Sequence, residues 1–151
     1  MGQPKELLFI DASVFFAAAA SPTGGSSLVL EICTGRRYAA VCSPKVIQEA
    51  QRNIRLKLTD DELVRFYHLL ARLSPALAPP VSEAAEAPYR PLVTAKDSHV
   101  IAAAVQGQAH FLISLDRKHL VNDKVRAAGL PFQVMTPGEF LQAVVRAHSA
   151  G

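Results

Sequence analysis

The 151 residues carry 16 lysines and arginines against 13 acids, a net charge of +3, with half the residues hydrophobic and 19% charged. A chain of this length and composition is one domain's worth and buries a real core, which excludes a disordered tail or a low-complexity polymer. The longest uninterrupted apolar run, Val14 to Ala20, is seven residues, against the roughly 20 of a membrane span, and the opening Met1-Gly2-Gln3-Pro4-Lys5-Glu6 lacks the charged-then-apolar layout of a secretory signal, so no membrane association is expected.

Leu7-Leu8-Phe9-Ile10 is a short apolar run that ends on Asp11. It is too short for a helix and suits a strand buried on both faces. Ala12 to Ala20 reads as a helix broken at Ser21-Pro22-Thr23-Gly24-Gly25. Ser26 or Ser27 is the expected cap of the next helix, with Leu28, Leu30, Ile32 and Cys33 inward and Gly35 as its stop. Tyr38 to Cys42 is a second strand. Ser43-Pro44 opens a helix to about Lys57, with serine as cap and proline at the first position. Thr59-Asp60-Asp61-Glu62 has capping-box spacing and precedes an apolar stripe of Leu63, Phe66, Leu69, Leu70 and Leu73.

Five prolines between Ser74 and Pro91 predict a long connection, with one extended segment near Ala78. Lys96 to Gln106 reads as a helix with Val100, Ile101, Ala104 and Val105 inward, stopped by Gly107. His110 to Leu115 is the next strand, ending at Asp116, and a short helix follows over Val121 to Ala128. Phe132 to Met135 is another strand. Thr136-Pro137-Gly138-Glu139 is a second capping box, opening a helix with Phe140, Leu141, Val144 and Val145 inward. Short apolar strands alternating with helices predict a three-layer α/β/α fold around a parallel sheet of four to five strands, spanning 1–151 as one domain. Cys33 and Cys42 make no disulfide framework, and their apolar surroundings suit reduced, buried thiols and a cytoplasmic setting.

In an open parallel sheet, ligands bind beyond the carboxyl ends of the strands. Asp11 and Asp116 end two strands. Glu49 stands on the helix that follows Ser43, and Asp97 lies in the first turn of a later helix. Each has an ordinary reading: a cap, a surface glutamate, a complement to a helix dipole, a solvated turn residue. Their shared edge argues otherwise. Like charges about 4 Å apart repel by roughly 1 kcal/mol in water and by more near a protein surface, so a cluster of four requires a neutralising cation. Oxygen ligands suit magnesium or manganese.

At these residues the chain resembles the PIN-domain ribonucleases, in particular the toxin branch of bacterial toxin–antitoxin pairs. The resemblance runs nearly end to end, through Leu8-Phe9-Ile10-Asp11-Ala12-Ser13, Val41-Cys42-Ser43-Pro44 leading to Glu49, Lys96-Asp97-Ser98-His99, Ile113-Ser114-Leu115-Asp116 and Val134-Met135-Thr136-Pro137-Gly138-Glu139. It implies a PIN-like fold and metal-dependent hydrolysis of RNA phosphodiester bonds, with an antitoxin protein as partner. By carry-over, Asp11, Asp97 and Asp116 ligate the metal. Glu49 ligates it through water or orients the nucleophile. Ser13 and Ser114 bond carboxylates or the scissile phosphate, although ordinary capping is an equal reading of both serines.

Two features depart from the family pattern. Val93-Thr94-Ala95-Lys96 offers no acid where many relatives carry several, and Lys118 stands where many carry a second acid. These favour the alternative of a weakened PIN-like module that binds RNA or a partner without cutting. Asp123 is a poor substitute for the missing acid. Lys45, Arg52, Lys96 and Arg117, with Lys118, are the candidate phosphate contacts, and each is equally at home on a solvated surface. A metal-bound water makes a histidine base unnecessary, so neither His99 nor His119 is assigned catalysis. The three tyrosines form no stacking platform. The stripe from Leu63 to Leu73 is a candidate homodimer face. A phospho-acceptor receiver domain, also doubly wound, is disfavoured: no second acid follows Asp11, and no lysine follows Val134-Met135.

Overall fold

The computed structural model describes residues 3–94 and 96–150. Five parallel strands form one sheet: β1 (Glu6–Ile10), β2 (Tyr38–Cys42), β3 (Ala76–Leu77), β4 (Phe111–Ile113) and β5 (Gln133–Met135), in the order β3-β2-β1-β4-β5. β1 is central, paired with β2 from Glu6 opposite Tyr38 and with β4 from Leu8 opposite Phe111. A strand so placed is covered on both faces, which is why Leu8, Phe9 and Ile10 are all apolar and all fully buried.

Eight α-helices flank the sheet among the described residues: α1 (Ala12–Ala20), α2 (Gly25–Ile32), α3 (Pro44–Lys57), α4 (Asp60–Leu73), α5 (Glu83–Glu86), α6 (Ser98–Gln106), α7 (Asp123–Arg126) and α8 (Pro137–Ala150). The chain thus forms the expected three-layer α/β/α architecture around an all-parallel sheet. Capping chemistry sets several of the helix starts. Ser43 Oγ accepts from the Val46 amide at 3.2 Å with Pro44 behind it. Thr59 and Glu62 close one capping box, and Thr136 and Glu139 a second. None of the helices is long and apolar enough to cross a membrane by itself.

The structure corrects four local expectations. α2 starts at Gly25 behind Gly24, so neither Ser26 nor Ser27 is its cap. Ser27 Oγ instead donates to the Ser21 carbonyl at 2.6 Å. With that start, Val29 and Leu30 face the core and Leu28 is left half exposed. The long proline-rich connection holds α5 and a 3-10 turn over Ala87–Tyr89, opened by Ser82 Oγ accepting from the Ala85 amide at 3.1 Å. Asp97 immediately precedes α6 rather than lying inside its first turn. Val145 faces solvent. As expected, Leu63, Phe66, Leu69, Leu70 and Leu73 share one face of α4, and the helix packs that face on the core: Phe66 and Leu73 are buried, and the three other leucines pack against the core. Both cysteines are free and buried, and burial pushes each thiol up to about 12.

Candidate active site

Asp11 leaves the central strand at its carboxyl end, where its amide still pairs with the Ile113 carbonyl at 3.1 Å. It stands at the capping position of α1 but makes no capping bond. Its Oδ2 accepts the Ser13 hydroxyl at 2.9 Å and the Ser114 hydroxyl at 2.7 Å. Each serine oxygen also accepts a backbone amide at 3.0 Å, Leu115 on Ser13 and Asp116 on Ser114. A hydroxyl has one proton, so both are committed to Asp11. Burial raises the Asp11 carboxyl above its usual range; the two hydroxyls oppose that shift and the charge of Asp97 adds to it.

Asp97 is buried and accepts Thr94 Oγ1 on its Oδ2 at 2.9 Å. Asp116 follows β4 in a tight turn. Its Oδ1 accepts the His119 amide at 3.0 Å, and its Oδ2 lies 3.1 Å from His119 Nδ1. The same nitrogen is 3.9 Å from Asp97 Oδ2. Asp97, Asp116 and His119 each offer a ligand atom within 4.8 Å of the other two. Glu49 faces them from α3, with Lys96 Nζ 4.0 Å from its Oε1. Burial raises the Glu49 carboxyl, and Asp11 raises it further.

All four acids line one open cleft of about 630 Å³, together with Ser13, Lys96 and His119. The fold therefore brings together the four acids expected from the sequence, and both serines bond a carboxylate rather than capping a helix. Of the candidate phosphate contacts, Lys96 lines the cleft. Lys45 opens onto a neighbouring one, and Arg52 and Arg117 line neither. Lys118 and Asp123 are also outside the cleft.

Sequence reading missed four polar residues of the cleft: His119, Asn53, Lys57 and Thr94. Asn53 and Lys57 were findable, since they follow Glu49 by one and two turns on the same helix face. His119 had only its spacing of three from Asp116 as a signal.

A carboxylate pair with an adjacent imidazole, backed by two further acids, has the chemistry of a divalent-metal site; hard oxygen donors suit magnesium or manganese. The donor set fits such an ion.

Two of the solved structures that this chain resembles share its architecture. The VapBC2 structure from Rickettsia felis, bound to a DNA fragment from their promoter, aligns with a TM-score of 0.59 at 13% identity, covering 86% of this chain and 98% of that one. The PAE2754 structure from Pyrobaculum aerophilum aligns at 0.57 and 21% identity, covering 94% and 90%. No curated protein matches by sequence. The sequence model of the PIN domain matches residues 8–118, a span that holds all four acids, and the chain belongs to the PIN domain family.

Proposed function

We propose that the chain is a metal-dependent endoribonuclease and the toxin of a toxin–antitoxin pair. The observation that carries this is the convergence of Asp11, Glu49, Asp97 and Asp116 on one cleft at the carboxyl edge of the sheet. Asp97 and Asp116, with Asp11 and Glu49, are the residues that would hold magnesium or manganese. When bound, such an ion lowers the pKa of water and neutralises charge on a phosphate.

The chain's own residues do the rest. Ser13 and Ser114 fix the Asp11 carboxylate through two short bonds, so its direction is set before substrate arrives. Lys96 is exposed at the mouth of the cleft and suits a phosphate oxygen. Lys57 extends that positive rim along α3. The Rickettsia felis neighbour is a VapBC2 complex on promoter DNA, which supports an antitoxin partner for this chain. The second reading is a weakened module that binds RNA or a partner without cutting. Lys118 favours it, since it is exposed outside the cleft and adds no further acid.

The test is cleavage of single-stranded RNA by the purified chain in manganese or magnesium. Cleavage is expected, chelator is expected to stop it, and Asp11→Asn to slow it by about a hundredfold or more. An Asp11→Asn chain that folds and cuts at the wild-type rate defeats the nuclease reading. Saturable manganese binding without cleavage moves the conclusion to the weakened module.

A further inference from the structure

The carboxyl edge of the sheet does not end at the acids. Beyond β2 and β3 it opens into a second cleft of about 410 Å³. Two helices border both clefts. On α3, Glu49 faces the acids while Lys45 and Gln48 face the second cleft; at the start of α6, Asp97 and His99 divide in the same way. Lys45 and Glu49 are four residues apart on α3, a rise of about 6 Å, so the two clefts adjoin along that helix.

The walls suit a base. Pro80 and Val81 offer an apolar surface for a flat ring, and the Gln48 amide, His99 imidazole and Glu86 carboxylate supply polar groups. Lys45 is exposed at the rim, where a phosphate passes. The Glu86 carboxylate is held in place, because its Oε1 accepts the Ser98 hydroxyl at 2.6 Å. One such bond leaves acceptor capacity on a group with about four lone-pair sites.

We propose that this cleft holds the base of a nucleotide next to the cut and selects one with an exocyclic amine, cytosine over uracil. The inference rests on the RNA-cleaving reading of the acidic site. Bases of single-stranded RNA are read splayed out, on their hydrogen-bonding edges. A carboxylate accepts from the cytosine N4 amine and is repelled by the carbonyl oxygen that replaces it in uracil.

The experiment measures binding of fluorescein-labelled octamers of cytidine and of uridine in chelator, where no cleavage occurs. Wild type is expected to bind the cytidine octamer about five- to tenfold more tightly. Glu86→Ala is expected to bring that ratio to about one, and the exposed Gln48→Ala to weaken the cytidine octamer severalfold. A wild-type ratio of one overturns the proposal, and that is the outcome if the cleft receives a protein segment instead. A preference that survives both substitutions overturns it too, as does a failure to bind either octamer. Failure of the nuclease reading alone looks different: a cytidine preference that needs Glu86, in a chain that does not cut when manganese is added.

Discussion

Ser114 Oγ donates to Asp11 Oδ2 at 2.7 Å, joining residues 103 positions apart in the chain. The bond ties the ends of β1 and β4 and sets the direction of the most buried acid of the site. Ser114 is itself fully buried and accepts the Asp116 amide. Its removal leaves that amide and the carboxylate each short of a partner. Ser114→Ala is expected to cost about 1–3 kcal/mol in urea denaturation. It should also move the Asp11 carboxyl further up, because the lost bond favoured the charged form. Carbon-detected NMR titration of the Asp11 carboxyl checks the second effect, and no upward movement would show that the serine is merely structural.

The raised carboxyls of Asp11 and Glu49 predict a stability that falls as pH rises in the absence of metal. A carboxyl raised in the folded state binds a proton that the unfolded chain has already released. Stability therefore declines from the ordinary carboxylate range near 3.8 upward until the folded group has ionised. Metal-free Asp11→Asn removes the Asp11 part of this penalty and keeps an oxygen for both serine hydroxyls. Its melting temperature at neutral pH is expected to exceed that of wild type, by about 2–4 °C for each kcal/mol recovered. Saturating manganese should reverse the order. Calorimetry with and without chelator reads both, and a metal-free Asp11→Asn that melts below wild type refutes the account.

What the sequence made legible follows from how local each signal is. Asp11 was readable because a four-residue apolar run stopping on an acid has few meanings, and β1 is covered on both faces as that run requires. The Ser43 start and both capping boxes were readable because their bonds span three residues. Leu28 and Val145 were misread because helix phase depends on where the first turn begins and on what covers the far side. His119 was unreadable as part of the cluster: its place beside Asp97 depends on the long-range approach of α6 to the turn after β4. The short α5 was hidden among prolines, where one serine cap over four residues gives almost no periodicity to detect.

Gly107 sets how closely α6 approaches β2. A β-carbon at that position would lie 2.8 Å from the Val41 Cγ1 methyl and 3.2 Å from the Ala103 carbonyl oxygen. Its backbone is right-handed, with φ of −76°, so the constraint is space rather than conformation. Gly107→Ala is expected to destabilise by about 1–3 kcal/mol through overpacking. Val41→Ala opens the space it needs. The double variant should therefore lose less than the two single losses combined, measured by urea denaturation. Strict additivity would mean that the strand moves instead of the methyl.

His119 separates a metal cluster from an ordinary surface ion pair. Its Nδ1 lies 3.1 Å from Asp116 Oδ2 and 3.9 Å from Asp97 Oδ2, and the ring is partly exposed at the mouth of the cleft. If its role is only to pair with Asp116, a surface contact of this kind contributes about 0–1 kcal/mol, and metal affinity should barely change when the ring is removed. If it orients the carboxylates or takes part in holding the ion, His119→Ala should weaken manganese binding by about 10–100-fold. The urea midpoint should stay nearly unchanged in either case. His119→Gln keeps a polar group of similar reach and is expected to recover part of the affinity. Electron paramagnetic resonance titration of manganese into the three proteins reads the difference directly. Equal affinity for all three would remove His119 from the site and leave the carboxylates to hold the ion alone.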